Sequence, residues 1–580
     1  MQLLRRYRSV AIVALCALAA CGIDCLLGGA LGDDRDTDPH ADEWRLLCYD
    51  AQVTSFYPLP SARIDRPLEL RHMGSVPLRP FSDASMLRRA LVAGLPQSRG
   101  LSVVFSQNTG TPDRDRAGVV VLDDGPGAPR SLCDGLLLGA YRTRSSSELR
   151  LLSWRTSLGY ERVTRDSRLT SADLFLLNYS REKDMDREQS LLRALRRAAR
   201  GESLRADCFL ETRSGDGRLV SRTRIQPDRN PVGSVAVELA GRSVALIGFN
   251  NGYQVSESLY RELTLPSLEA RGFESPRALV RRYGSFRGVT AVDLDNGELF
   301  WERPLGIITS DQPAVVDLTG DGVEEVVLAA YSPANGVSAG GVTDLGYSYL
   351  LCLDDSGREL WRHRRRGWFI GSLVSVGDVT GDGSPDVVAV WGSAKDRQPG
   401  RVTVTSGDGR LIAERVLVGA GGLVLADLTG DGVSEILVCE ANGRLHAFDG
   451  RLRTVAEGSA EEHAGFRNRR LMPLAANDLD GDGSTEVIAA SVGWTIHEWN
   501  STIRYGSLEP DSLAYLVLLD SALHELARCE TPNLQAWARS SARHGCFVAD
   551  LDDDERNEIV LGPVDGEFRF FEVVPKGDAR

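Results

Sequence analysis

The sequence predicts an all-β fold assembled from a repeated hairpin, and three observations carry that reading. An acidic, mostly glycine-containing loop recurs five times in the second half of the chain. Short β-branched runs flank each copy: Val315 and Val316 precede the first, and Val326, Val327 and Leu328 follow it. A second hairpin pattern then comes downstream, as in Tyr349 to Asp355 followed by Glu359 to Trp361. Short apolar runs between turn signals read as strands, so each acidic loop joins two neighbouring strands.

The loops read DLTGDGVEE (317–325), DVTGDGSPD (378–386), DLTGDGVSE (427–435) and DLDGDGSTE (478–486), with a decayed fifth, DLDDDERNE (550–558). Oxygens at positions one, three, five and nine, with the carbonyl at position seven, suit a hard cation that takes six to eight oxygens at roughly 2.3–2.6 Å. The first loop supplies Asp317, Thr319, Asp321, Glu325 and the carbonyl of Val323, and the second Asp378, Thr380, Asp382, Asp386 and the carbonyl of Ser384. The third supplies Asp427, Thr429, Asp431, Glu435 and the carbonyl of Val433, and the fourth Asp478, Asp480, Asp482, Glu486 and the carbonyl of Ser484. Gly322 at position six allows the sharp turn, because glycine alone takes positive φ without steric cost. An EF-hand would need a Glu at position twelve and flanking helices. Leu328, Ala389, Val438 and Ala489 stand there instead, each inside a strand-like run.

These loops resemble the FG-GAP and VCBS repeats of integrin-α-like β-propellers, over about 311–574. The Phe-Gly and Gly-Ala-Pro signatures of the integrin type are missing, apart from a remnant at Gly562-Pro563, so the VCBS side is the closer match. The resemblance implies a β-propeller with one calcium loop between the first two strands of a blade. It also implies Ca²⁺ as the cofactor at about four sites, and a protein or carbohydrate partner at the propeller face. In the fifth loop Asp553 and Glu555 replace the two glycines, which predicts weak binding or none.

Loop starts lie 61, 49, 51 and 72 residues apart, against roughly 40–50 for common propeller repeats. Further hairpins at 289–301, 401–414, 445–454, 515–526 and 568–574 predict six to seven four-stranded blades over 231–580, a degenerate one starting near Val235. Asp207 to Arg213 and Arg218 to Ile225 are expected to complete the last blade. Residues 44–230 read as an accessory α+β region, with helices at 83–93 and from Met185 to Arg200. The basic face of the second helix suits packing or a membrane surface.

Arg5, Arg6 and Arg8 precede an apolar run from Val10 to Ala20 that is too short to span a bilayer but fits a signal peptide. It ends Leu18-Ala19-Ala20-Cys21, which resembles a bacterial lipobox. Residues 1–20 are thus the expected signal, Cys21 the lipidated residue, and 21–43 an anchor and flexible tether. The location implied is the bacterial envelope, outside the cytoplasm, with contact to a membrane through the lipid anchor.

The net charge of −14 argues against nucleic acid as a partner. Much of that acidity is loop chemistry: three carboxylates at the candidate ligand positions of each of the first three loops and four at those of the fourth. At an affinity of about 10⁻⁴ M, millimolar calcium would contribute about 1.4 kcal/mol per loop.

Of the ten cysteines, Cys352 and Cys439 read as buried thiols, and Cys529 with Cys546 or Cys25 with Cys48 are candidate bridges. Gly336-Val337-Ser338-Ala339-Gly340 matches the GxSxG elbow but lacks its strand-to-helix setting. The eight histidines show no metalloprotease spacing, and His363 sits in a basic run from Arg362 to Arg366 followed by Trp368. No catalytic residue stands out. The reading is therefore a non-enzymatic adhesion or scaffold protein. The alternative is a propeller enzyme, either a polysaccharide lyase or a PQQ-type quinoprotein. The hairpins ending in Trp301 and Trp361 look like PQQ-type repeats, although the equivalent hairpins at 401–414, 445–454 and 515–526 lack the tryptophan.

Overall fold

A computed structural model describes residues 61–577 apart from connecting segments, the longest being 79–89, 157–207, 251–286, 332–346, 494–513 and 535–545. The described residues build eight antiparallel sheets, the blades of a β-propeller. Blade 1 covers 90–134, blade 2 136–225, blade 3 231–304 and blade 4 307–366. Blade 5 covers 373–417, blade 6 421–459 and blade 7 469–530. In each, chain order is also spatial order from the axis outward; in blade 4 the innermost strand is split, Ile307–Ile308 and Ala314–Val316 both pairing with Glu325–Tyr331.

Blade 8 closes the ring. Cys546–Ala549, Glu558–Val564 and Glu567–Pro575 form its inner three strands, and Leu68–Pro77, from the other end of the chain, forms its outermost. The pairing runs from Leu68 opposite Pro575 to Pro77 opposite Glu567, with a register shift between His72 and Gly74. Closure is also made by packing: Phe547, Phe568 and Phe570 of blade 8 share a core with Val92, Val103, Phe105 and Val120 of blade 1. The rings of Phe105 and Phe568 meet edge to face at 4.8 Å, a favourable arrangement for aromatic quadrupoles.

Burial explains which strand goes where. Asp386–Trp391 and Glu435–Cys439, second strands of blades 5 and 6, are buried at every position, as strands covered on both faces must be. Outer strands such as Leu411–Leu417 and Leu219–Ile225 have exposed positions and carry the polar side chains. Each pair of blades sandwiches its own apolar layer, for example Leu437 and Ala447 against Val487 and Ala489 between blades 6 and 7. Radial repetition thus replaces a single large core by layers between neighbours.

A second repeated device seals the outer edge. In blades 2 to 7 the turn entering the outer strand contains a residue in the left-handed region: Gly217, Gly297, Gly357, Gly409, Leu452 and Leu523, at φ between 57° and 87°. The preceding blade reaches across to this turn. Trp301 donates its indole N–H to the carbonyl of Asp355 (2.7 Å), and Trp361 to that of Gly407 (2.9 Å). Arg415 does the same with a guanidinium, to Leu452 (2.8 Å). A Cβ on Gly357 or Gly409 would fall 2.8 or 2.6 Å from the docked indole, so these turns need glycine twice over.

Several expectations are corrected. The ring has eight blades where six to seven were expected, because blades 1 and 2 lack the acidic loop and leave no repeat to count. The described part of 44–230 is not an α+β accessory region: it supplies two whole blades and the closing strand. Residues Cys208–Ser214 and Leu219–Ile225 pair with each other inside blade 2, so they do not complete the last blade. Ala90–Gly94 is the inner strand of blade 1 and not the end of a helix. The expected helix from Met185 to Arg200, the GxSxG segment, Trp368 and everything before residue 61, Cys21, Cys25 and Cys48 included, lie outside the described residues. Cys529 and Cys546 are both free thiols. Cys352 and Cys439 are buried as expected, and burial pushes the Cys352 thiol up to about 12.

Candidate functional site

The five acidic loops join the first and second strands of blades 4 to 8. Since every blade runs the same way, they emerge on one face, and neighbours touch. The amide of Ser434 in the third loop donates to the carbonyl of Asp378 in the second (3.0 Å). Asn557 of the fifth donates from its side-chain amide to Asn477, which precedes the fourth (3.3 Å). The loops are also wedged against the next blade: a Cβ on Gly407 would lie 2.2 Å from the carbonyl oxygen of Leu318, and one on Gly450 2.3 Å from that of Val379.

Each loop is organised by its first and ninth residues. Asp317 accepts backbone N–H bonds from Gly320 (2.7 Å), Asp321 (3.2 Å) and Gly322 (2.8 Å), and Glu325 accepts from Leu318 (2.8 Å). The third loop repeats this bond for bond, with Asp427 accepting from Gly430, Asp431 and Gly432 and Glu435 from Leu428. In the second, Asp378 accepts from Gly381 and Gly383, and Asp386 takes the hydroxyl of Thr380 (2.9 Å). The position-five carboxylates each accept the amide two residues on, Asp321 from Val323, Asp382 from Ser384 and Asp431 from Val433.

Electrostatics differ along the loop. The bond from Gly322, with those from Gly320 and its neighbours, holds the Asp317 carboxyl below the usual range against the opposing effect of burial. The ninth position is the reverse: Glu325, Asp386 and Glu435 are 4%, 2% and 5% exposed, and burial pushes all three upward. Among the described residues no Lys, Arg or His pairs with the carboxylates of these three loops. A buried carboxylate without a counter-charge costs several kcal/mol. The donor set is all oxygen, which selects calcium or magnesium over softer metals. The three loops therefore fit a hard cation.

The fourth and fifth loops differ. Here three carboxylates bring oxygens within 4.8 Å of one another, Asp478, Asp480 and Glu486 in one and Asp550, Asp552 and Asp554 in the other. With Thr319, Thr380 or Thr429 at position three, no such trio forms among the described residues of the first three loops. The fifth loop keeps the shared backbone: Asp553 and Glu555 take φ of 65° and 68° where other loops have glycine, and Leu551 still donates to Glu558 (2.7 Å). In the fourth, Arg66 enters. Its Nε donates to Asp480 (2.6 Å), and its Nη2 lies 3.0 Å from Glu486 and 3.1 Å from Asp482. Arg66 went unnoticed in the sequence, and the one signal was the extra acid, Asp480, where the other loops carry threonine.

The basic run is spent on structure. Arg362 pairs with Glu359, Arg365 with Glu414, and Arg364 stacks over Tyr347 at 4.7 Å. His363 lies 2.9 Å from the carbonyl of Gly409 and packs edge-on against Trp361.

No protein-family model and no curated protein matches the chain. Solved structures align with it at low identity. Sqt1 of Chaetomium thermophilum is 10% identical over 91% of this chain and 99% of that one, with a TM-score of 0.42. The C-terminal WD40 domain of Sif2 is 8% identical over 87% and 98%, at 0.36. BBS1N in complex with ARL6DN is 9% identical over 72% and 93%, at 0.34. The likeness is slight at these scores, and the fold is established by the sheets themselves.

Proposed function

We propose that this chain is a lipid-anchored β-propeller of the bacterial envelope, of FG-GAP/VCBS type, in which calcium is a structural ion and the propeller face binds a protein or carbohydrate partner in an adhesion or scaffold role. One observation carries the calcium reading: in blades 4, 5 and 6 a buried ninth-position carboxylate lacks a described cation, inside an all-oxygen loop. The wedging of Leu318 and Val379 against the next blade supports a structural role, because a loop that loosens would release an inter-blade contact. Lipidation at Cys21 and the envelope location rest on the N-terminal sequence. The Trp301 and Trp361 hairpins, which look like PQQ-type repeats, dock their indoles on the next blade, and a quinone absorbance in the purified protein would favour the alternative of a propeller quinoprotein.

The test is a thermal melt of the metal-stripped chain with and without millimolar calcium. At about 1.4 kcal/mol per loop, three loops raise stability by roughly 4 kcal/mol. A melt indifferent to calcium would sink the structural-ion reading. A Cys21→Ala variant that still partitions with membranes would remove the anchor, and equal retention of envelope polymers or proteins with and without chelator would remove the calcium-dependent binding role.

A further inference from the structure

Residues 61–66 form a strap lying across the fourth and fifth loops. Ser61 donates its amide to the carbonyl of Asp478 (2.9 Å), Ile64 to that of Asp480 (2.6 Å) and Ala62 to that of Glu555 (2.6 Å). The hydroxyl of Ser61 accepts the amide of Asn557 (2.8 Å). Contact is so close at Gly481 that a Cβ there would meet Ser61 O at 2.4 Å and Arg63 N at 2.6 Å, whereas Gly320 and Gly430 at the same position face open space. The strap ends in Arg66, whose guanidinium reaches the carboxylates of positions three, five and nine together.

We infer that the fourth loop is served by the chain's own cation: the Arg66 guanidinium stands where the first three loops fit a divalent ion, so metal entry there and docking of the strap exclude each other. The oxygens argue for exclusion. One oxygen each of Asp480, Asp482 and Glu486 accepts a backbone amide, from Asp482, Ser484 and Leu479 respectively. The other oxygen of each faces Arg66. Charge agrees, since the extra carboxylate of this loop, Asp480, makes the shortest of the three contacts. A planar guanidinium with several fixed donors suits this convergent set better than an ammonium would. Asp480 and Glu486 are fully buried while the Arg66 side chain is 39% exposed, so the cation is the partner free to leave. Because only Pro67 separates Arg66 from the closing strand Leu68–Pro77, the state of this loop is tied to the seam of the ring.

The inference takes from the calcium reading only the comparison with loops one to three, and the test separates them. Calcium bound to the full chain is counted by native mass spectrometry for the wild type, Arg66→Gln, Arg66→Lys and Asp480→Thr, with circular dichroism to confirm folding. Arg66→Gln is expected to hold one ion more than the wild type, and Arg66→Lys the same number as the wild type. Asp480→Thr, which copies position three of the other loops and removes the main anchor of Arg66, also gains one, and it serves if Arg66→Gln does not fold. The wild-type count reports on loops one to three, and the difference between variants reports on the strap. Equal counts in the wild type and both neutralising variants, at whatever number, overturn the inference.

Discussion

Glu558 is 3% exposed at the ninth position of the fifth loop, and its carboxyl is pushed up to about 8, by burial first and then by Asp552, Asp550 and Asp554, against the Leu551 amide bond that favours charge. A carboxyl whose folded value lies above its unfolded one destabilises as it ionises, so its contribution worsens as pH climbs from about 4.5 to about 8. Glu558→Gln should flatten that part of the stability curve in metal-stripped protein, gaining most above pH 8, as read by urea melts across pH. The outer-turn aspartates have the opposite sign. For Asp293 and Asp354 burial alone raises the carboxyl, but the summed hydrogen bonds from Arg242, Asp295 and Asn296, or from Ser356 and Arg358, outweigh it and hold it low. Stability from these groups is present above their ordinary range near pH 4 and is lost as pH falls through the depressed folded values. Asp354→Asn should therefore reduce the acid sensitivity of unfolding below about pH 4.

At the level of the blade, two repeats hold neighbours together, one on the acidic loops and one on the outer turns. Trp361 serves both, since Gly407, whose carbonyl it holds, is the residue wedged against Leu318 of the first loop. Trp361→Phe keeps an aromatic ring and deletes one hydrogen bond, and should cost about 1 kcal/mol by equilibrium denaturation. A null effect would mean that the indole merely fills space. The acidic repeat was legible because five loops share spacing and chemistry in one stretch of sequence. Blade 1 was not, and of blade 2 only the outer hairpin, Cys208–Ser214 with Leu219–Ile225, was read as strands, without its place in the ring. Their strands carry no loop signature, and the second and third strands of blade 2, Leu149–Thr156 and Cys208–Ser214, pair across a long connection that breaks any hairpin pattern. Blade 3 was half visible, through the Val289 to Trp301 hairpin. Arg66 illustrates a further limit: it is 414 residues from Asp480, and no local pattern links a lone arginine to a distant loop.

For the whole molecule, the decisive contact is the pairing of Leu68–Pro77 with Glu567–Pro575. It covers the outer edge of blade 8 with a strand whose Leu68 and Leu70 enter the core shared with Ile559, Phe571 and Val573. Deleting residues 61–77 should leave that core open and the sheet edge unpaired, a template for intermolecular pairing. The expected result is loss of cooperative unfolding and a concentration-dependent rise in light scattering, while a deletion that stays monodisperse with an unchanged melt would show that the seam is held by the layer between blades 8 and 1 alone.

The same seam sets a schedule for biosynthesis. Leu68–Pro77 leaves the ribosome long before its partner strand Glu567–Pro575 exists. At roughly 5–20 residues per second the wait is on the order of 25–100 s. Seven sheets can form as they are made, but the first strand among the described residues is the last to be used, and it must stay extended and unclaimed until the final one emerges.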